Sequence, residues 1–287
     1  MTIAVTGAGG HLGRLVVEDL LTRGVPAAEI VAGTRRPDAL ADLARRGVQV
    51  RHADFDDEAS LDAALAGAEK VLVVSGTDFG RRVQQHAAAA AAAQRAGARL
   101  VAYTSIPSAS TTTMQLAAEH RGTEEAIRAL GVPFTFLRNS WYFEGYTAQI
   151  PTYLEHGAIL GAAGDGRISG AARADFAAAA AAVLATEGHE DAVYELGGEP
   201  AFTMAELADV VSKATDREVV YRDVPVEELQ KILAGAGVPE PLPAVLADVD
   251  RHIAQGTLFV ETGDLTRLIG RRTTALEDAV AAAVAAA

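Results

Sequence analysis

Three glycines near the start of the chain have the spacing of a phosphate-binding turn. Gly7, Gly10 and Gly13 fit the pattern G-x-x-G-x-x-G, which follows the apolar run Ile3–Val5 and precedes leucines and valines at helical spacing. In such a turn the backbone can approach a pyrophosphate, and the free N–H groups of the following helix receive its charge. Glycines also occur for turn chemistry alone, but the strand-turn-helix context favours dinucleotide binding. The residues expected to contact the cofactor here are Gly7, Gly9, Gly10, His11, Leu12 and Gly13.

Two arginines follow the second predicted strand, Ile30–Thr34. In an NAD-preferring site an acidic residue stands about twenty residues after the glycine turn and binds the ribose 2′-hydroxyl. Arg35 and Arg36 occupy that place here, and a guanidinium group suits a 2′-phosphate instead. The sequence therefore predicts NADPH as the cofactor, with Arg35 as the phosphate ligand because it lies nearer the strand end. The alternative is that both arginines are solvated residues at a helix entry.

Polar residues at the ends of later strands are further cofactor candidates. In an open α/β sheet, ligands bind outside the carboxyl ends of the strands. Asp54 can accept a hydrogen bond from the adenine amino group or can simply be a turn aspartate. Hydroxyl groups at strand ends can likewise satisfy turn backbone instead of a ligand. The residues expected to line the cleft are Asp54, Ser75, Gly76, Thr77 and Thr104.

The segment Arg138–Tyr142, at the end of the sixth predicted strand, contains the only asparagine and the only tryptophan of the chain. Asn139 can offer both a donor and an acceptor to a carboxamide, so it is a candidate nicotinamide ligand. Trp141, Tyr142 and Phe143 are candidates for the apolar wall of a site that binds a flat substrate. The alternative is that these aromatic residues are core anchors of the helix that they begin.

A parallel sheet is needed to bring these residues together. Strand-like and helix-like segments alternate through the first half of the chain, and the alanine runs 87–93 and 177–182 predict thin helices that pack close to a sheet. The predicted fold class is α/β, a Rossmann-type doubly wound parallel sheet with a smaller C-terminal α/β lobe. The expected NADP-binding domain is 1–142, with 187–198 returning to it as a strand, and the expected substrate-side lobe is 143–186 and 199–287.

Four local predictions concern the connections between these elements. A helix is expected over Thr111–Ala129, and Leu160–Gly166 is expected to be a flexible loop because it is rich in glycine. Thr203–Glu206 and Thr274–Glu277 each match a capping box at the start of a helix.

Bulk composition excludes several classes of function. The chain has 287 residues and a net charge of −13, which argues against nucleic-acid or anionic-membrane partners because both need a basic face. It has no cysteine, so thiolate chemistry is excluded, and its seven histidines form no H-E-x-x-H pair that would support a metal site. The N-terminus begins directly with a strand pattern, and no long apolar segment is present, so a cytoplasmic protein is expected.

Taken together, these motifs resemble the NmrA-like branch of the atypical short-chain dehydrogenase/reductases. Within that branch, the chain is most similar to bacterial NADPH-dependent quinone reductases and triphenylmethane-dye reductases. The resemblance covers essentially the whole chain and implies NADPH binding by the glycine turn, an arginine after strand two, the loop after strand four and the segment after strand six. It depends on Ala4–Gly13, Arg51–Asp54, Ala102–Ser105, Glu119-His120 with Thr123-Glu124, Arg138–Tyr142 and Gly161–Gly166.

The catalytic pair of the wider superfamily, Tyr-x-x-x-Lys, is missing. Alignment on Glu124 puts Leu116 at the tyrosine position and His120 at the lysine position, and none of the six tyrosines lies four residues before a lysine. A quinone gains aromaticity when it accepts a hydride, so it needs a positioned acid less than an isolated ketone does. The expected reaction is flavin-free hydride transfer from NADPH to a quinone-like small molecule, with His120 and Tyr142 as catalytic candidates and water as the other proton source.

Two other interpretations are compatible with the same residues. A non-enzymatic NADP(H) sensor would also lack the tyrosine and lysine, and a triphenylmethane-dye or azo reductase would use the same pocket. His120 can equally be a core or helix-surface residue. We expect a monomer or a homodimer.

Overall fold

A seven-stranded parallel sheet forms the centre of the molecule. In the computed structural model, which describes residues 1–286, the strand order is β3-β2-β1-β4-β5-β6-β8, and every neighbouring pair is parallel. This order confirms the predicted Rossmann-type α/β class. The strands are β1 (Ile3–Val5), β2 (Ile30–Thr34), β3 (Gln49–His52), β4 (Lys70–Val73), β5 (Leu100–Ser105), β6 (Phe134–Asn139), β7 (Ala158–Gly161), β8 (Ala192–Leu196) and β9 (Val220–Asp223).

Helices cover both faces of the sheet and build the smaller lobe. Two short 3-10 turns, 27–29 and 37–40, flank β2. The α-helices are α1 (His11–Thr22), α2 (Ala41–Arg45), α3 (Glu58–Leu65), α4 (Arg82–Arg95), α5 (Gln115–Ala129), α6 (Phe143–Thr147), α7 (Ile150–His156), α8 (Arg173–Ala185), α9 (Met204–Thr215), α10 (Val226–Gly235), α11 (Leu242–Ala254), α12 (Asp264–Ile269) and α13 (Leu276–Ala285).

The inner strands are mainly apolar on both faces, as expected for a sheet that is covered on both sides, and Lys70 is their one fully buried charged residue among the described residues. All residues of β1, β2, β4 and β5 are buried. On one face, α1 inserts Val16, Val17 and Leu20 into the core that it shares with α8. On the other face, the alanine side chains of α4 lie against the sheet core. Alanine permits this close approach because its side chain is a single methyl group.

Helix α8 lies within the stretch 143–186 that the sequence assigns to the smaller lobe. Its side chains, Phe176 and the alanines after it, pack in the same core cluster as α1, β1 and β4. The helix therefore contacts the sheet directly, as expected for an alanine-rich segment that covers it. The boundaries of the two parts remain a prediction, but α8 belongs by its packing to the Rossmann-type layer.

The smaller lobe contains a second core around the two-stranded parallel sheet β7-β9. This core includes residues of α6, α7, α9, α11 and α13, and also residues of the connection that leads from β5 into α5. Ile106 and Met114 are examples from this connection, and both are buried. The lobe is thus packed against the carboxyl end of β5.

The segment Leu160–Gly166 is not the flexible loop that its glycines suggest. Leu160 and Gly161 belong to β7, and the N–H groups that follow have fixed acceptors. The N–H of Ala162 donates to Asp250 Oδ2 (2.8 Å), that of Ala163 to Tyr221 Oη (2.9 Å) and that of Gly164 to Asp223 Oδ1 (2.8 Å). These acceptors come from distant parts of the sequence, so local composition cannot predict them.

Two predicted helix starts also differ from the structure. Helix α5 begins at Gln115 rather than Thr111, because residues 108–112 form a turn in which Ser108 has a positive φ of 54°. The capping box at Thr203 is present, with both reciprocal hydrogen bonds. The one expected at Thr274 is absent, since Ala275 is the N-cap of α13 and the Thr274 N–H donates to Asp175 Oδ2 (2.8 Å).

Among residues 1–286, none of the helices combines the length and apolar character needed to cross a bilayer.

Candidate active site

A cleft of ≈ 640 Å³ opens at the carboxyl ends of the central strands. Sites for small molecules commonly have volumes of about 300–1,000 Å³, so the volume of this cleft is in the range of a ligand-binding site. Most of the predicted cofactor residues line it, and Tyr142 does as well. Its lining comprises Gly7, Gly9, Gly10, His11, Leu12, Gly13, Thr34, Arg35, Arg36, Ala39, Ala53, Asp54, Phe55, Asp56, Val74, Ser75, Gly76, Thr77, Asp78, Arg82, Gln85 and Tyr142.

The glycine turn at the floor of the cleft is too tight for larger residues. Gly7 has a φ of +63°, a conformation that L side chains rarely adopt. A Cβ atom at Gly13 would lie 2.5 Å from the carbonyl oxygen of Gly7, and one at Gly9 would lie 2.6 Å from Thr34 Oγ1. The turn is closed by the Gly10 N–H, which donates to the Gly7 carbonyl (2.9 Å). Glycine is therefore required here for backbone packing, and the same packing exposes the start of α1.

The N-terminus of α1 is free to receive an anion. Gly10, the N-cap, has no side chain with which to accept a hydrogen bond, and the first turn holds no acidic residue. The first helical hydrogen bond runs from Arg14 N–H to the Gly10 carbonyl (3.0 Å). In the part of the chain that the structure describes, the N–H groups of His11, Leu12 and Gly13 have no protein acceptor. Free donors together with the helix dipole favour a phosphate at this point.

Arg35 and Arg36 follow β2 at the same edge of the sheet, and both are exposed. Within residues 1–286, neither guanidinium group forms a salt bridge, whereas nearby Arg14 pairs with Asp42. The Arg36 N–H donates to Thr34 Oγ1 (3.2 Å), which fixes the backbone where the chain leaves the strand. Two arginines without acidic partners that line a cleft form a suitable site for a phosphate monoester.

The backbone of the loop after β4 is fixed by hydrogen bonds to buried side chains. Thr104 was a predicted cofactor ligand, but it is 1% exposed and does not line the cleft. Its Oγ1 instead accepts the Ser75 N–H (2.8 Å) and donates to Ser75 Oγ (3.2 Å). The next N–H, that of Gly76, donates to His86 Nε2 (2.9 Å). Ser75, Gly76 and Thr77 therefore form a wall of the cleft whose backbone is fixed by residues behind it.

Asp54 has the turn role considered for it in the sequence, and its contact with adenine stays a prediction. It lines the cleft, and its Oδ1 also accepts the Asp56 N–H (3.1 Å) in a turn. Sequence reasoning missed Gln85 and Arg82, which reach the cleft from α4. Strand-end patterns cannot indicate these two residues, because they come from a helix packed beside the cleft, which contributes side chains at helical spacing.

Asn139 and Tyr142 are hydrogen-bonded to each other at the end of β6. The Asn139 Nδ2–H donates to Tyr142 Oη (3.2 Å); Asn139 is 5% exposed and, unlike Tyr142, is not among the residues that line the cleft. Asn139 Oδ1 is buried and has no protein partner among the described residues. An unsatisfied buried carbonyl costs about 1–3 kcal/mol, which a donor on a bound ligand would recover. Burial also raises the pKa of Tyr142 above its ordinary value, so the phenol is protonated at neutral pH.

The structure does not bring every aromatic candidate to the cleft. Trp141 is half-buried and packs against the core of the smaller lobe. Phe143 is 3% exposed, and its ring lies 5.8 Å from that of Phe202 inside the same core. Only Tyr142 lines the cleft, where its ring packs edge-on against Phe176 and below the guanidinium group of Arg173. Phe143 is thus a core residue, as in the alternative interpretation.

His120 is enclosed behind the sheet edge rather than exposed in the cleft. It is 7% exposed, and its Nδ1 lies 2.8 Å from Tyr103 Oη. Burial, together with the nearby positive charge of Arg82, lowers the pKa of His120 to about 3. The imidazole is therefore neutral at physiological pH and hydrogen-bonded to a buried phenol, which does not favour it as a general acid.

Arg138 and Glu124, two residues of the motifs noted in the sequence, form a buried ion pair. Arg138 Nε donates to Glu124 Oε1 (2.9 Å) and one terminal nitrogen donates to Glu124 Oε2 (2.7 Å). The other terminal nitrogen donates to Glu195 Oε1 (2.9 Å), and Ser105 Oγ donates to Glu124 (2.7 Å). This network ties β5, β6, β8 and α5 together next to the cleft.

The sheet order, the glycine turn and the cleft at the strand ends define a Rossmann-type dinucleotide-binding protein. Its groups fit a phosphorylated nicotinamide dinucleotide: free helix N–H groups suit a pyrophosphate, unpaired arginines suit a 2′-phosphate, and a buried carbonyl without a donor suits a carboxamide. The described residues contain no group of three or more metal-ligating side chains placed to hold an ion.

Comparison with known proteins identifies the family. The model of the NmrA-like family matches residues 1–278, and the chain belongs to that family. Quinone oxidoreductase 2 of Escherichia coli (strain K12) is 44% identical over 278 residues, 97% of each chain. The crystal structure of an NADPH-dependent quinone oxidoreductase from Escherichia coli complexed with NADPH has a TM-score of 0.95 at 44% identity and covers 98% of this chain and 99% of its own. Citrobacter sp. triphenylmethane reductase complexed with NADP(H) has a TM-score of 0.92 at 39% identity, with 98% and 100% covered.

Proposed function

We propose that this chain is an NADPH-dependent oxidoreductase that transfers a hydride from NADPH to a quinone, or to a similar flat and electron-poor acceptor, without a flavin. The likeness to a quinone oxidoreductase extends over almost the whole chain. The structural observation that carries the proposal is the cleft itself, in which the uncapped start of α1 and the unpaired Arg35 and Arg36 face one space.

Each part of the cleft has a role in holding the cofactor. The N–H groups at the start of α1 bind the pyrophosphate, and Arg35 binds the 2′-phosphate. Asn139 Oδ1 is buried beside Tyr142 rather than in the lining of the cleft, and it accepts a hydrogen bond from the carboxamide of the bound cofactor, which orients the nicotinamide ring. Bound NADPH supplies the hydride, and the protein holds the acceptor against the reactive ring with water excluded.

Tyr142 is the protein group best placed to donate a hydrogen bond in the cleft. Its Oη already accepts from Asn139 Nδ2–H, so the phenolic hydrogen is free to point to a ligand. Its raised pKa keeps that hydrogen in place at neutral pH. The quinone must also gain a proton to become the quinol, and we propose water as its source because His120 is enclosed and neutral.

Triphenylmethane dyes are a second class of acceptor. The chain is 39% identical to a triphenylmethane reductase across nearly its full length. These dyes are electron-poor cations, and the net charge of −13 favours the approach of a cationic acceptor.

The test is NADPH oxidation by the purified protein, followed at the absorbance band of NADPH, with a panel of quinones, triphenylmethane dyes and azo dyes. We expect oxidation that depends on both enzyme and acceptor, with no flavin in the preparation. Tight NADPH binding with no oxidation by any acceptor would contradict the proposal and favour an NADP(H) sensor.

Two further properties are proposed from sequence alone. We propose that the enzyme is a monomer or a homodimer and that it acts in the cytoplasm. Sedimentation equilibrium with and without NADPH determines the oligomeric state, and a larger assembly would contradict this part of the proposal.

A further inference from the structure

A buried chain of hydrogen bonds lies behind the wall of the cleft that follows β4. His86, on α4, is 0% exposed and does not line the cleft. Its Nε2 lies 2.9 Å from the Gly76 nitrogen, and its Nδ1 lies 3.1 Å from Thr123 Oγ1 on α5. Thr123 Oγ1 in turn lies 2.9 Å from the carbonyl oxygen of Glu119.

The chemistry of the end groups fixes the direction of every bond in this chain. A backbone N–H can only donate, so His86 Nε2 must be unprotonated and accept from Gly76. The neutral ring then carries its hydrogen on Nδ1 and donates it to Thr123 Oγ1. The Thr123 hydroxyl donates to the Glu119 carbonyl, which can only accept. The network therefore assigns a single tautomer to His86.

The surroundings of His86 keep the ring in this neutral state. Its ring packs against Phe55 and Tyr103 at centroid distances of 5.8 and 5.3 Å. The nearest charge is that of Arg82, which pairs with Glu119 on α5. Burial and this positive charge lower the pKa of His86 to about 4.

The accepted hydrogen bond determines how the wall of the cleft is oriented. In a planar trans peptide, the carbonyl of one residue points opposite to the N–H of the next. Because the Gly76 N–H points to the buried His86, the Ser75 carbonyl points away from it. Ser75 and Gly76 both line the cleft, and the Ser75 N–H is held separately by Thr104. Among residues 1–286, the bond to His86 is the only hydrogen bond that holds the peptide between Ser75 and Gly76, so this peptide is free to rotate without it.

We propose that His86 is a positioning residue for cofactor binding: its unprotonated Nε2 holds the Ser75–Gly76 peptide in the orientation that the bound dinucleotide requires. The inference rests on the proposed function, and it concerns a residue that touches neither the cofactor nor the acceptor.

The test compares His86→Phe, which keeps an aromatic ring but removes the acceptor, with His86→Gln, whose amide oxygen restores an acceptor. For His86→Phe we expect the Kd and KM for NADPH to rise about tenfold, as the loss of one well-placed hydrogen bond predicts, while kcat at saturation changes less than twofold. His86→Gln should recover most of the affinity. NADH binding should weaken by the same factor, since the arginine end of the cleft is unchanged.

Hydrogen exchange at the Gly76 amide gives a readout that is independent of activity. We expect this amide to be protected in the wild type and in His86→Gln, and to exchange faster in His86→Phe. His189→Phe is the matched control, since His189 also has hydrogen bonds through both ring nitrogens but lies away from the cleft. It should leave the NADPH Kd unchanged even if the melting temperature falls.

The outcomes separate this inference from the proposed function. Equal NADPH affinity and equal Gly76 protection in His86→Phe and wild type would overturn the positioning role. A wild type that neither binds NADPH nor reduces any acceptor would overturn the proposed function. Protection of the Gly76 amide would still report on the hydrogen bond from Gly76 to His86. If His86→Phe fails to fold, Thr123→Val carries the test, because it removes the partner of Nδ1. An unchanged NADPH Kd together with unchanged Gly76 protection in Thr123→Val contradicts the proposal.

Discussion

Arg35 and Arg138 lie at the carboxyl edge of the same parallel sheet, yet their environments are opposite. Arg35 is exposed and forms no salt bridge within the described part of the chain, while Arg138 is 6% exposed and bonded to two carboxylates. Tyr142 and His120 form a similar pair of proton-bearing groups: the first has a free hydroxyl hydrogen in the cleft, and the second is bonded to Tyr103 behind it. Arg35 and Tyr142, which have hydrogens without a protein acceptor among the described residues, line the cleft, whereas Arg138 and His120 are bonded to buried partners and do not.

We expect the largest effect, a loss of stability, when Arg138 is replaced. Arg138→Met leaves Glu124 buried without its partner, so we expect a loss of about 3–5 kcal/mol in the free energy of unfolding. Urea denaturation measures it. Arg46→Ala, which breaks the exposed pair with Glu18, is the control and should cost about 1 kcal/mol or less. A loss for Arg138→Met no larger than that of the control would remove the distinction between the two environments.

Arg35 should show the reverse behaviour, with a change in binding and none in stability. Arg35→Ala removes a charged hydrogen bond to the 2′-phosphate, which is worth about 1.5–3 kcal/mol, or about a tenfold to hundredfold rise in the Kd for NADPH. NADH affinity should be unchanged, and stability should change by less than about 0.5 kcal/mol. Calorimetric titration with both cofactors checks this, with Arg45→Ala as an exposed control outside the cleft. Equal losses for NADPH and NADH would refute the 2′-phosphate assignment.

The next prediction concerns Tyr142, the proton-bearing group that lines the cleft. Tyr142→Phe keeps the ring but removes the donor and leaves Asn139 Nδ2–H without its acceptor. We expect kcat/KM for quinone reduction to fall about tenfold, the size of one hydrogen bond, with the fold intact. Steady-state kinetics measures this fall. Tyr194→Phe is the control, because the Tyr194 hydroxyl contacts His189 away from the cleft. Matching kinetics in the two variants would exclude a role for the Tyr142 hydroxyl.

His120 should give the smallest effect. His120→Gln keeps a polar partner for the Tyr103 hydroxyl, so we expect kcat to stay within about twofold of the wild type, as expected for a group outside the reacting centre. The pH profile of kcat should also be unchanged. A tenfold fall in kcat together with a shifted acid limb would restore His120 as the proton source.

Local sequence predicted the elements whose causes are local. The run Ile3–Val5, the glycine turn and α1 follow from apolar spacing and from the steric demands at Gly7 and Gly13, and the cleft formed where they predicted it. The alanine runs formed sheet-covering helices because alanine combines high helix propensity with a small side chain.

Contacts between distant residues were beyond prediction from the sequence. Whether an arginine is free or paired depends on partners such as Glu195, which is 57 residues away from Arg138. Thr104 accepts the Ser75 N–H because β5 lies next to β4 in the sheet, and Phe143 packs against Phe202, which is distant in sequence. Sequence patterns give the type of a polar group, but only the tertiary structure shows whether its bonding capacity has been used.

The uncapped start of α1 has a practical bearing on assays of this protein. Within residues 1–286 the N–H groups of His11, Leu12 and Gly13 have no protein acceptor, so we expect them to bind small oxyanions from the medium when nucleotide is absent. Phosphate or sulfate buffers would then compete with the dinucleotide and weaken its apparent affinity in proportion to their concentration. Measurements in a buffer of large organic ions report the intrinsic affinity, and the difference between the two media gives the strength of this anion site.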